Sequence, residues 1–236
     1  MKRARAVFTV LRGRHVMWAA SVFVGTIVVL ALLLPRTGSS ESVGSHSPLQ
    51  GWRIVVDAGH GGEDRGVCYF PDALIEKEIN LDMANRLGAA LAAAGAEIFY
   101  TRTDDVFVSL EDRAEHANAV QADLFISLHV NRIPNHPECF GAQTFYYPTS
   151  EASKAFAEFI QAELLRVDPE NYRQIQSGNY KVLRLTNMPA VIVEIAFMTN
   201  ERDRRLLQDD AYRDAITQAI VAGVIGYVES TSRSAE

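Results

Sequence analysis

The sequence predicts a single α/β domain: a mainly parallel, twisted sheet with helices on both faces, preceded by one N-terminal transmembrane helix. Three observations predict it. From residue 51 onward, short apolar runs alternate with longer amphipathic stretches, as strands joined by crossover helices do. The run Ala190 to Phe197 (AVIVEIAF) is apolar but for one glutamate, which fits a strand covered on both faces. Near the amino end, Lys2, Arg3, Arg5, Arg12 and Arg14 precede the uncharged stretch Val16 to Leu34, which stops at Pro35.

The elements follow in order. Residues 1–15 form a basic flank. Residues 16–34 read as a membrane span, about 19 residues and roughly 28 Å long as a helix, just enough to cross a bilayer's hydrocarbon. A cleavable signal is the competitor, but its apolar region is usually shorter, about 7–15 residues, and no Ala-x-Ala site follows Leu34. An uncleaved anchor is therefore expected. Because the basic flank precedes the helix, the remainder lies outside the cytoplasm, whether anchored or exported. Residues 35–50, rich in Ser and Gly, read as a flexible linker. Residues 51–230 form the folded domain.

Within that domain Arg53 to Asp57 is a short strand closed by the glycine loop Ala58-Gly59-His60-Gly61-Gly62. Glu76 to Ala94 has apolar residues at Ile79, Met83, Leu87 and Leu91 and ends near Gly95, the signature of an amphipathic helix. Ala96 to Thr101 is a strand. Ser109 to Val120 is a helix, with Ser109 as N-cap and Asp112 three residues on. Asp123 to Val130 and Gln143 to Tyr147 are strands, Ser150 to Arg166 a helix, Ala190 to Phe197 the last strand and Asp209 to Glu229 the last helix. There is no internal repeat and no second domain.

Composition bounds the function. The 236 residues carry a net charge of −6, with 48% hydrophobic and 22% charged residues. That excludes a disordered chain, a collagen, a disulfide-dense mini-protein and a multi-pass membrane protein. The first 50 residues hold six Lys or Arg against one Glu, so the folded body is strongly acidic. An acidic body argues against nucleic acid as a partner. Outside the cytoplasm Cys68 and Cys139 could form a disulfide if the fold brings them together.

Open parallel sheets gather ligands beyond the carboxyl ends of their strands. His60 follows the first strand, His129 lies near the end of the strand LFISLH, Glu194 sits inside the last strand and Glu76 starts the long helix. Two imidazoles and two carboxylates brought to one edge suit a divalent metal with a base. Each also has a plainer reading. A strand histidine can be a satisfied core residue, and Glu76 or Glu78 can simply favour a helix N-terminus. Glu194 is hardest to explain structurally, because an unpaired buried carboxylate is costly. Asp57 could orient the glycine loop or support a histidine ligand. Asn131 could bind substrate or turn the chain. His15, His46, His116 and His136 read as structural or surface residues.

Six segments then occur in order: Val56-Asp57-Ala58-Gly59-His60-Gly61-Gly62; Glu76-Lys77-Glu78-Ile79-Asn80-Leu81; Thr101-Arg102-Thr103-Asp104; Arg113 with Ala117-Asn118; Ser127-Leu128-His129-Val130-Asn131; and Val193-Glu194-Ile195-Ala196-Phe197-Met198-Thr199-Asn200. Together they resemble the zinc-dependent N-acetylmuramoyl-L-alanine amidases of the amidase-3 type, across nearly the whole body. The stretch Gly141 to Tyr147 and the short amino-terminal anchor are most similar to the sporulation and germination branch. The resemblance implies Zn2+ held by His60, Glu76 and His129, with Glu194 as the catalytic carboxylate. It selects Glu76 over Glu78, because the ligand glutamate precedes the Lys-acidic pair. It implies peptidoglycan as substrate, cleavage between the muramic lactyl group and L-alanine, and a role in spore cortex alongside a deacetylase and an accessory lipoprotein. Two positions depart from the pattern: Ala58 stands where proline is common, and Ala196 where glycine is common. The stretch between Tyr147 and Glu194 is too short for the inhibitory helix of some relatives, so an open site is expected. The alternatives are another cell-wall zinc peptidase and an inactive wall-binding module of the same fold.

Overall fold

A computed structural model describes residues 47–233. The expected basic flank, membrane span and most of the linker lie outside the described residues. Among the described residues no helix is long and apolar enough to cross a membrane. The end of the predicted linker is part of the fold: Leu49 is fully buried and its N–H donates to Ala94 O.

The chain runs β1 (Arg53–Ala58), β2 (Cys68–Tyr69), a 3-10 turn (Phe70–Asp72), β3 (Leu74–Ile75), α1 (Glu76–Ala93), β4 (Glu97–Tyr100), α2 (Leu110–Ala119) and β5 (Leu124–Asn131). It continues through β6 (Gln143–Tyr146), α3 (Glu151–Val167), β7 (Gln176–Ser177), α4 (Lys181–Leu185), β8 (Ala190–Phe197), α5 (Glu201–Leu207) and α6 (Asp210–Arg233). The main sheet has the order β4-β1-β5-β8-β6-β7, and β2 and β3 form a separate antiparallel pair.

The sheet is mixed. β4, β1, β5 and β8 are parallel, as the alternating pattern predicts, but β6 is antiparallel to β8 and carries β7 parallel to itself. The reason is the connection after β5. No helix lies between β5 and β6, so the chain is not carried back to the starting edge and returns reversed.

Local signals set the elements as expected. Ile79, Met83, Leu87 and Leu91 are all buried along α1. The Ser109 side chain accepts the Asp112 N–H at the start of α2. Alternation along the strands divides the core in two. Ile54, Val56, Leu124, Ile126, Leu128, Val191 and Val193 face one way and pack with residues of α1, α3 and α6. Val55, Phe125, Ala190 and Ile192 face the other way, under Ala114 and Ala117 of α2 and Val182 and Leu183 of α4.

Candidate active site

The loop after β1 is shaped by two buried arginines. Arg102 donates from Nε to Ala58 O (2.9 Å) and from Nη2 to Gly59 O (3.0 Å) and Lys77 O (2.8 Å). Arg113 donates to Ala58 O and His60 O, both at 2.7 Å. Arg113 Nη1 also lies 2.5 Å from Asp57 Oδ1. Asp57 in turn accepts from Thr101 Oγ1 (2.6 Å) and Ser127 Oγ (2.5 Å). Burial would raise the Asp57 carboxyl's pKa, but the Arg113 charge and the two hydroxyl donors outweigh it and hold it below its ordinary value. Asp57 therefore orients the glycine loop through Arg113, the first of its two expected roles. Held this way, His60 adopts a left-handed backbone (φ 62°), a conformation that non-glycine residues seldom take and that clusters at functional sites.

His60 and His129 converge on one carboxylate oxygen. His60 Nε2 and His129 Nδ1 each lie 3.1 Å from Glu76 Oε1, and the potential ligand atoms of the three residues lie within 4.8 Å of one another. The other Glu76 oxygen accepts the Val67 N–H at 2.7 Å, and the Val130 N–H reaches Oε1 at 3.1 Å. Backbone comes close because side chains are missing there. A Cβ at Gly59 would lie 2.2 Å from His129 Cε1, and one at Gly66 would lie 2.6 Å from Glu76 Oε2. Glu78, two residues on, is exposed.

The electrostatics fit a cation. Burial opposes the charged form of His60, yet hydrogen bonds and charge from Glu76 and Asp64 outweigh it and raise its pKa to about 9. Burial also disfavours charge on Glu76 and His129. Their mutual pairing wins, so Glu76 falls well below the carboxylate range and His129 rises. Two imidazole nitrogens and one ionised carboxylate oxygen, with glycines making room around them, form a donor set suited to a divalent metal such as zinc. Asp64 Oδ2 is 2.7 Å from His60 Nδ1, so it fixes the ring and leaves Nε2 for a ligand bond.

Glu194 completes the constellation. It pairs in register with His129 across β5 and β8, and alternation puts both on the face shared with Asp57 and Ser127. Its Oε2 is buried and has no hydrogen-bond partner. Burial, reinforced by the negative charge of Glu76 against the opposing pull of the two histidines, pushes its pKa up to about 7. A carboxyl group that changes charge near neutrality can both accept and return a proton. Two cavities flank these groups. One of about 190 Å³ is lined by His60, Asp64, Phe107 and Arg113. The other, of about 110 Å³, is lined by Glu194, Tyr180 and Ile192. His129, Leu110 and Val182 border both.

The other expected residues fall as follows. Asn131 ends β5, and its Oδ1 accepts the Arg132 N–H at 2.7 Å. Cys68 and Cys139 are both free thiols. His136 lies 2.8 Å from Glu138 on an exposed loop. Asp64 is a site residue that the sequence does not point to; its only cue there is an acid four residues after a histidine in a glycine loop. The loop-clamping roles of Arg102 and Arg113 are likewise visible only in the fold, although both lie in the quoted segments.

The family model described as N-acetylmuramoyl-L-alanine amidase (Amidase_3) matches residues 54–226. This chain belongs to that amidase family. The matched span contains all six segments and every residue of the constellation. Among relatives, the N-acetylmuramoyl-L-alanine amidase LytC of Bacillus subtilis is 38% identical over 187 residues, which is 77% of this chain but 36% of LytC. The uncharacterized protein YqiI of the same organism is 32% identical and covers 91% of this chain and 99% of its own length. The CwlD amidase from Clostridioides difficile, solved in complex with the GerS lipoprotein, superposes with a TM-score of 0.73 at 32% identity, covering 76% of this chain and 99% of that one.

Proposed function

We propose that this amidase hydrolyses the amide between the lactyl group of N-acetylmuramic acid and L-alanine in peptidoglycan, using zinc held by His60, Glu76 and His129. The observation that carries the reading is Glu194: a buried, unpartnered carboxylate oxygen beside the three-ligand cluster. When bound, zinc supplies Lewis-acid polarisation of the scissile carbonyl and lowers the pKa of water toward about 7. The protein does the rest. Asp64 holds the His60 ring, and the Val67 and Val130 N–H groups hold Glu76. Glu194 takes the proton from the attacking water and returns it to the leaving amine. Asn131, at the end of β5, contacts the substrate.

The basic flank and apolar run of residues 1–34 support anchoring by one helix with the catalytic domain outside the cytoplasm. The resemblance to the sporulation branch supports action in spore cortex, where removal of the peptide would precede lactam formation by a separate deacetylase. Likeness to the CwlD structure, which holds the GerS lipoprotein, supports an accessory lipoprotein for this chain. The test is mass analysis of peptidoglycan fragments after incubation with the zinc-loaded full chain. Free muramic lactyl ends with intact L-alanyl stem peptides are expected. New ends inside the stem peptide would make the enzyme a peptidase, and unchanged peptidoglycan would make the chain a binding module.

A further inference from the structure

The small hairpin of β2 and β3, between the glycine loop and α1, supports two of the three candidate ligands from its base. The Val67 N–H donates to Glu76 Oε2 at 2.7 Å, and the Glu76 N–H donates back to Val67 O at 2.9 Å. One residue earlier the Gly66 N–H donates to Asp64 Oδ1 at 3.1 Å, while the other Asp64 oxygen holds the His60 ring. Segment 64–67 therefore sets the position of the Glu76 carboxylate and, through Asp64, that of His60. A shift of this segment moves both.

The hairpin is poorly equipped to hold itself. β2 and β3 have two residues each and pair with one another, apart from the main sheet. An isolated two-stranded hairpin is marginal in water. At its turn Ala73 takes a left-handed backbone (φ 52°), which is unfavourable for a residue with a Cβ. The hold must come from outside. Leu74 supplies part of it by packing into the core. Arg204 of α5, itself buried, grips the rest. Its Nε donates to Asp72 Oδ2 at 3.2 Å, its Nη1 donates to Met198 O at 3.0 Å, and its guanidinium carbon lies 3.7 Å from the centre of the Tyr69 ring. One planar cation thus ties the turn and first strand of the hairpin to the chain leaving β8, the strand that carries Glu194. A guanidinium can stack on a ring and donate at its edge at once.

We propose that Arg204 is a positioning residue for the metal centre. By clasping Tyr69 and Asp72 it keeps the hairpin where Val67 and Asp64 orient Glu76 and His60 for zinc. The proposal rests on the zinc amidase reading above. It is tested on the full chain with two readouts: zinc Kd from competition with a chelator, corrected for the folded fraction, and hydrogen exchange of the Val67 amide in the metal-free protein. Arg204→Met keeps much of the apolar stem and removes the clasp. Its Kd should be about tenfold weaker, the lower end of what loss of a ligand-orienting partner costs, and its Val67 amide should exchange about tenfold faster through local opening of the hairpin. Tyr69→Leu and Asp72→Asn, which each remove one contact of the clasp, should move both readouts in the same direction by less. Phe156→Ala, a core truncation in α3, should leave both at wild-type values, which separates positioning from general loss of stability. An unchanged Kd or unchanged Val67 exchange in Arg204→Met would overturn the proposal, as would equal changes in Phe156→Ala. Should Arg204→Met fail to fold, wild-type values of both readouts in Tyr69→Leu and Asp72→Asn would overturn it. A wild-type chain that binds no zinc would overturn the metal reading itself, and this proposal with it.

Discussion

The two faces of the sheet use the same strands for different ends. On the face under α1, α3 and α6, the inward positions Ile54, Val56, Ile126, Leu128, Val191 and Val193 are all apolar and fully buried. On the other face, Val55, Phe125 and Ile192 are followed toward the carboxyl ends by Asp57, Ser127, His129 and Glu194, and only the short helices α2 and α4 lie above. The period of two along a strand separates the residues that hold the fold from those that gather at the candidate site. The thin cover on the second face leaves space for substrate.

The largest effect expected from breaking this division is on the chemical face. Glu194→Gln should lower turnover about 10²–10⁴-fold, as loss of a positioned acid–base group does, while zinc content is retained. Assay of muramyl-peptide cleavage alongside metal analysis checks both halves. On the packed face the pattern should invert. Phe156, fully buried in α3, leaves a cavity when truncated, so Phe156→Ala should cost about 3–5 kcal/mol of stability. Denaturant unfolding reads the loss, and kcat per folded molecule should be unchanged.

Arg113 tests whether the chemical face also carries structural weight. Arg113→Met strands the buried Asp57 carboxylate, at a cost of about 3–5 kcal/mol. The double variant with Asp57→Asn should recover part of that loss in the same unfolding measurement. Persistence of the full loss would mean that the loop carbonyls, not the ion pair, are what Arg113 supports.

These residues also mark what is legible in the sequence. His60 stands out because four glycines surround it, and His129 and Glu194 because each interrupts an apolar strand. Parallel strand order then carries all three to one edge without any knowledge of contacts. Arg102 and Arg113 look like ordinary arginines, because the carbonyls they clamp around the site, and the Asp57 carboxylate paired with Arg113, lie 25 to 56 residues away. Asp64 shows no cue beyond its spacing. The strands β2, β3 and β7 have two residues each and α4 has five, too few for periodicity to register. The reversal of β6 is invisible because strand patterns carry no direction. Leu49 reads as linker because a lone leucine among Ser and Gly does not reveal that it plugs a core.

Smaller effects concern the metal's surroundings. Asp64→Asn should weaken zinc binding about 10–100-fold, the usual consequence of removing a partner that orients a ligand histidine, as a competition titration with a chelator would show. The pH dependence of metal-free stability gives the mildest signature. The Glu194 pKa is raised in the fold to about 7, so its contribution to stability is fully present below its ordinary value and is lost as pH rises through about 7. Glu194→Gln should therefore match the wild-type melting temperature at pH 4 and exceed it at pH 8. His60, raised to about 9, follows the same sign over a higher window: its contribution is present below about 6.5 and lost as pH rises through about 9.

Zinc stoichiometry across three proteins tests the central claim most directly. Equilibrium dialysis of the full chain should find one zinc per chain in the wild type, one in Glu194→Gln and none in His129→Ala. Equal zinc binding by His129→Ala, or loss of zinc from Glu194→Gln, would contradict the assignment of His60, Glu76 and His129 as ligands with Glu194 standing apart as the base.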